Sequence, residues 1–279
     1  MLGLLLADGS VVLTRIDTPV RTPVGADGVG RGRFPVVEVA GLASRGSGFR
    51  RLTDALVADG TTVLDFDPAR PGIQPLVLTP VKATDHVPAL AVGLVGPAIE
   101  AALGRAGFDP ATQIVDVVAH SAGGLLIRFL VEQAGWAGRV DDLVMVAVPN
   151  HGSELGFRLA TFPPGHDRWD GLAADVRPGS AVLRRLGTAE PAGEVYTAIG
   201  GDPWFLRWLR YGHHGFDGAV PAESPFLRGA ALDTFPDTHG RLLGATAVVH
   251  LIVATLKAGP GRSWGGPPSP PDSQRPAGE

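Results

Sequence analysis

Cysteine is absent from this chain of 279 residues. That excludes disulfides, thiol catalysis and zinc sites built on thiolates. Lysine is nearly absent too, since Lys82 and Lys257 are the only two and arginine supplies the rest of the 24 basic residues. Excess positive charge is also missing: the formal net charge is −4, which argues against a general nucleic-acid binder. No apolar run reaches membrane-spanning length, because residues 87–99 contain Pro88 and Pro97 and residues 245–256 contain His250. The apolar residues 4–6 have no basic residue before them and end at Asp8-Gly9, so no export signal is predicted and a soluble, cytoplasmic protein is expected. Internal repeats are lacking as well.

What is present is an alternation of short β-branched runs with helical patterns. Residues 2–7 and 10–16 flank Asp8-Gly9, a two-residue hairpin signal. Residues 34–40 read as a buried strand and residues 49–58 as a helix. Residues 61–66 read as another strand, and a proline-punctuated connection follows to residue 80. Residues 85–106 read as a helix with Asp85 at its N-cap. Further strands are expected at 114–119, 140–148, 195–199 and 230–235, and a closing helix at 242–256. Strands alternating with helices predict an α/β fold, a mostly parallel, doubly wound sheet with an antiparallel hairpin at its start. Length permits one domain over residues 1–258, with residues 150–193 an insertion covering the site. Residues 259–279, dominated by Gly, Pro and Ser, read as a disordered tail.

The stretch Q-I-V-D-V-V-A-H-S-A-G-G-L-L-I-R-F, residues 113–129, organises the rest. A buried strand meets a helix at His120-Ser121-Ala122, the context of a nucleophile elbow that lifts a serine hydroxyl above the carboxyl edge of a parallel sheet. Ala119 and Gly123 are the small residues such a strained turn needs on either side. A serine hydroxyl needs a histidine base, and the histidine a carboxylate that fixes its tautomer. In chain order the acid comes first and the histidine second. Asp217, in F-D-G-A-V-P, and His239, in F-P-D-T-H-G, fit that order; Asp202 competes for the acid because it also follows a strand. The tetrahedral oxyanion needs two fixed N–H donors, assigned to the backbone of Ala122 and of Leu42.

The remaining histidines have plainer readings. His213-His214 read as a surface loop, since no second cluster has ligand spacing and no metal is expected. His250 belongs to the closing helix, His120 packs under the elbow, and His151 helps to hold the site loop. Trp204, Phe205, Trp208 and Leu209 form an apolar patch at helical spacing. Packing onto the core is its leading reading, with an acyl-chain wall or lipid-facing lid as the alternative.

On these residues the chain resembles the bacterial α/β-hydrolase lipases and esterases, the triacylglycerol-lipase-like group in particular. The resemblance runs from about residue 34 to residue 256 and rests on V-A-H-S-A-G-G-L at 118–125, V-P-N-H-G-S at 148–153, D-G-A-V-P at 217–221 and T-H-G at 238–240. It implies the α/β-hydrolase fold, with a cap or lid insertion, and a serine carboxyl-ester hydrolase that works through an acyl-enzyme. Ser121 would be nucleophile, His239 base and Asp217 acid, with no cofactor. The substrate would be a small-molecule or lipid ester, met through transient contact with a lipid interface. The family's oxyanion loop usually reads H-G, where this chain has Ala40-Gly41. An acyltransferase or thioesterase would use the same residues, and a non-catalytic binding protein could keep the fold. Glu38, inside the strand read at residues 34–40, needs a buried partner or an exposed position there.

Overall fold

The structure, a computed structural model, describes residues 4–5, 12–13, 34–42, 44, 46–78, 85–154, 158, 170–191, 195–209 and 215–258. The strands β1 (Leu4–Leu5) and β2 (Val12–Leu13) pair antiparallel as a two-stranded sheet. The turn expected between them at Asp8-Gly9 lies outside the described residues. That hairpin does not join the main sheet, which is parallel throughout. Its five strands are β3 (Val36–Val39), β4 (Val115–His120), β5 (Val140–Val146), β6 (Val195–Gly201) and β7 (Ala231–Phe235), side by side in chain order.

The central strands are apolar on both faces because helices cover both. Val37, Val39, Val117, Ala119, Leu143 and Met145 pack on one side. There they meet a helical run made of α2 (Val87–Leu90), a widened π turn (Ala91–Val95) and α3 (Gly96–Arg105), together with α4 (Ala122–Gln133). Val36, Val118, Val144 and Val146 point to the other side, against α1 (Arg50–Ala58) and α7 (Thr246–Ala258). Two short helices, α5 (Asp170–Asp175) and α6 (Ala181–Leu186), fall in the segment expected to cover the site, and both contribute buried side chains to the first side.

Four expectations need correction. Residues 61–66 make one parallel bridge, Val36 to Val63, instead of a strand. The chain leaves the edge after Leu64 and returns at Leu76, where Ala40 N–H donates to Leu76 O at 2.9 Å. Prolines at 68, 71 and 75 lack the N–H groups a continuous ladder needs. The helix expected from Asp85 has His86 at its N-cap, without a side-chain cap of its own. A carboxylate from α5 does that work: Asp175 accepts from Val87 N–H at 2.6 Å and lies 3.0 Å from His86 Nδ1.

Pro88 and Pro97 do not interrupt the run from Val87 to Arg105. It is 19 residues with mean hydropathy 1.6, long and apolar enough to cross a membrane, but 56% of that window is buried against the core. Pro88 sits in the first turn, where no N–H is needed, and the π turn before Pro97 absorbs the second proline. Trp204 and Phe205 do not pack onto the core either: on the 3-10 turn Trp204–Leu209 they are 76% and 45% exposed, edge to face at 5.9 Å.

Candidate active site

Ser121 stands between β4 and α4 with φ 54° and ψ −135°, a conformation costly for a residue with a Cβ. Ser121 N–H donates to Val146 O at 2.9 Å, so the neighbouring strand holds the turn. Close packing needs the two glycines that follow. A Cβ on Gly123 would lie 2.7 Å from Ala40 O, and one on Gly124 would lie 2.2 Å from Val148 Cγ2. Gly41 is equally constrained, since its Cβ would fall 2.6 Å from Ser121 Cβ. The loop after β3 therefore touches the serine. Ala122 opens α4, where its N–H has no partner in the helix, and Leu42 follows Gly41 in that loop.

Ser121, His239 and Asp217 are far apart in sequence and form one hydrogen-bonded chain. His239 Nε2 is 3.0 Å from Ser121 Oγ, and His239 Nδ1 is 2.8 Å from Asp217 Oδ2. The other Asp217 oxygen accepts from Ala219 N–H at 2.8 Å and Val220 N–H at 2.7 Å, inside the tight Asp217-Gly218 loop. His239 N–H donates to Asp217 O at 2.8 Å, which ties the two loops together. Asp217 is buried and both of its oxygens are hydrogen-bonded, which holds the carboxylate in place. Asp202 lies at the end of β6 with its N–H on Phe235 O; the carboxylate bonded to His239 is that of Asp217.

His120 lies against His239, ring centroids 4.7 Å apart, and its Nε2 is 3.0 Å from His239 O. A carbonyl only accepts, so Nε2 carries the proton. Burial, with His239 beside it, lowers the His120 pKa to about 3 and keeps the ring neutral.

Ser224 and Arg128, which support the site, were not singled out from sequence. Ser153 and His151 belong to the V-P-N-H-G-S stretch at 148–153, and His151 holds the loop as expected. Ser153 Oγ donates to Ala219 O, directly behind the Asp217 loop. Ser224 Oγ donates to Gly152 O at 2.7 Å, and His151 N–H and Nδ1 both contact Ser224 O. The P-N-H-G-S segment thus clamps the acid loop. Arg128, fully buried on α4, donates to Glu132 at 2.7 Å, to Asn150 Oδ1 at 3.1 Å and to Leu186 O at 2.9 Å. Proximity of Arg128 to the elbow was the only signal in sequence, and it does not reveal burial.

His213 and His214 lie outside the described residues. Among the described residues one group could hold a cation, Asp116, Asp141 and Asp142, with ligand atoms within 4.8 Å of one another. It sits toward the amino ends of β4 and β5, away from the edge that carries Ser121. Burial first, and then mutual repulsion, pushes the Asp116 carboxyl to about 8; burial likewise moves Asp142 to about 7.

Residues 101–161 match a family described as a domain of unknown function, DUF7379. No curated protein matches the chain. Phospholipase PlaB from Legionella pneumophila is similar in structure, with TM-score 0.61 and 16% identity over 81% of this chain, which spans 60% of that protein's length. The mature Bacillus licheniformis lipase BlEst2 gives TM-score 0.56 and 14% identity over 82% of this chain and 94% of its own. The metagenomic carboxyl esterase MGS0156 gives 0.54 and 18% over 85% and 78%. The parallel sheet, the strained serine turn and these neighbours define the class: the chain has the α/β-hydrolase fold.

Proposed function

We propose that the chain is a serine carboxyl-ester hydrolase acting on lipid or smaller esters. The observation that carries this reading is the 3.0 Å contact of Ser121 Oγ with His239 Nε2, at a serine of positive φ beside the Gly41 loop. In the proposed cycle His239 takes the proton of Ser121 as Oγ attacks the ester carbonyl. The oxyanion is held by the N–H groups of Ala122 and Leu42. His239 then gives the proton to the departing alkoxide, which leaves as the alcohol, and an acyl-enzyme remains. Water attacks that ester, giving its proton to His239; collapse frees the acid and returns the proton to Ser121. Asp217 keeps the Nδ1–H tautomer throughout, and no cofactor takes part. Residues 1–258 would act as one unit, with the segment at 150–193 covering the acyl site. The names of the neighbours, a phospholipase, a lipase and a carboxyl esterase, agree with this reading.

A fluorophosphonate probe tests it. Labelling should map to Ser121 and disappear in His239→Ala. Ser121→Ala should lose ester hydrolysis with an unchanged unfolding temperature. Hydrolysis retained by Ser121→Ala at the wild-type rate would overturn the assignment.

A further inference from the structure

A cleft of about 730 Å³ borders the loop that carries His239. Arg50, Arg51 and Arg241 line it, against one carboxylate, Asp237. Arg51 is fixed by donation from Nη1 to Gly244 O at 3.0 Å. Among the described residues no carboxylate pairs with the Arg50 or Arg241 guanidinium. Arg50 also lines an adjoining cavity of about 610 Å³, together with Asp54.

One helix start faces the same cleft. Thr246 opens α7 and lines it; Ala245, the residue before, has no side-chain acceptor to cap the first turn. The positive end of α7 therefore adds to three guanidinium groups. A carboxylate offers two oxygens to such a set. A phosphate offers three or four with more negative charge, which suits several guanidinium forks at once.

We propose that this cleft binds the phosphate group of an ester substrate, whose acyl end reaches Ser121. The proposal deepens the hydrolase reading and rests on it for the fate of the acyl group. Position supports the link: Gly240 lines the cleft and directly follows His239, whose Nε2 meets Ser121 Oγ at 3.0 Å.

Calorimetric titration with inorganic phosphate at low salt tests the site without any turnover. Wild type should bind, and Arg50→Gln with Arg241→Gln together should weaken binding at least tenfold. Arg184→Gln, which removes one exposed charge on α6 outside the cleft, should bind as wild type does. No binding, or equal affinity in the double variant, overturns the proposal. Hydrolysis supplies a second readout. The KM for an oleoyl ester of glycerol phosphate should rise about tenfold in the double variant, against little change for monoolein; an equal rise for both esters also overturns it. Sedimentation with phosphatidic acid vesicles, set against phosphatidylcholine vesicles, separates the sources. Arginine-dependent retention on phosphatidic acid assigns a lipid headgroup, and arginine-dependent phosphate binding without retention assigns a soluble ester. Hydrolysis surviving in Ser121→Ala would sink the assignment of Ser121 as nucleophile and leave the phosphate titration standing.

Discussion

A side chain at position 41 would have to share space with Ser121. The clash is with the Ser121 Cβ at 2.6 Å and with His120 O at 3.0 Å, both fixed by the elbow. Relief must come from moving the loop after β3 or the serine itself. Either movement separates the proposed oxyanion donor at Leu42 from the attacking oxygen. Displacements of this size at a reacting centre cost on the order of 10²-fold in rate. Gly41→Ala should therefore lower kcat on a soluble ester about 10²-fold and still give a cooperative melt. Gly93→Ala, where an added Cβ meets nothing within 4 Å, should keep wild-type kcat. Equal rates in Gly41→Ala and wild type would show that the loop does not take part. The pairing of Asp217 with His239 belongs to the same scale. Asp217→Asn leaves the geometry in place but favours the wrong tautomer, and kcat should fall about 10⁴-fold in steady-state assays.

At the scale of elements, the Arg128 network joins α4, the P-N-H-G-S loop and α6 through one buried guanidinium. Tyr196 on β6 reaches the same Glu132, and Asn150 Nδ2 continues the network to Pro225 O at 2.8 Å. Arg128→Met removes the cation and leaves Glu132 and Asn150 Oδ1 buried with fewer partners. Removing one member of a buried ion pair costs about 3–5 kcal/mol. Urea unfolding of Arg128→Met should show a loss of that order, and Arg184→Gln should show almost none. This network marks a limit of sequence reading. Strands β3 to β6 were legible because β-branched runs bounded by glycine and proline leave few alternatives, whereas β7, A-L-D-T-F, carries only one β-branched residue. The order of Ser121, Asp217 and His239 followed from the same rhythm, since each lies just past a strand or its connection. Arg128 was not legible, because an arginine on a helix is ordinarily solvent-facing and only tertiary packing buries it. Nor was the cap on α2, since Asp175 lies 88 residues from the N–H it accepts. The segment at 61–66 has strand composition, yet prolines farther along the chain decide how it pairs.

At the scale of the whole molecule, one side of the sheet carries four buried ionisable groups that resist charging, Asp142 on β5 and three on β3 and β4. Glu38, Asp116 and His120 alternate with the apolar residues of β3 and β4 on the face beneath α1 and α7. Glu38 is fully buried, and Thr53 is 2.7 Å from its Oε2 and 3.1 Å from Phe49 O. A threonine has one proton to give; if that goes to Phe49 O, a protonated Glu38 donates to Thr53, and Glu38 Oε1 is left buried without a partner, which further disfavours its ionisation. Burial in this setting raises the Glu38 pKa from 4.5 to about 8. Its proton is therefore retained in the folded chain at pH values where the unfolded chain has lost it, and stability falls as pH rises from about 4.5 to about 8. Asp116 acts in the same direction. His120 acts the other way: its lowered pKa reduces stability as pH falls from 6.5 toward 3. Above pH 6.5 the His120 contribution is exhausted and the carboxyls alone set the slope. Between pH 6.5 and 8 Glu38 should contribute a loss of about 2 kcal/mol, at about 1.4 kcal/mol per pH unit. Urea denaturation across that interval should show wild type losing stability steadily. Glu38→Gln keeps an uncharged donor toward Thr53 and should be more stable than wild type at pH 8, with a shallower slope. A Glu38→Gln curve parallel to wild type from pH 6.5 to 8 would mean that Glu38 is already ionised in the folded chain.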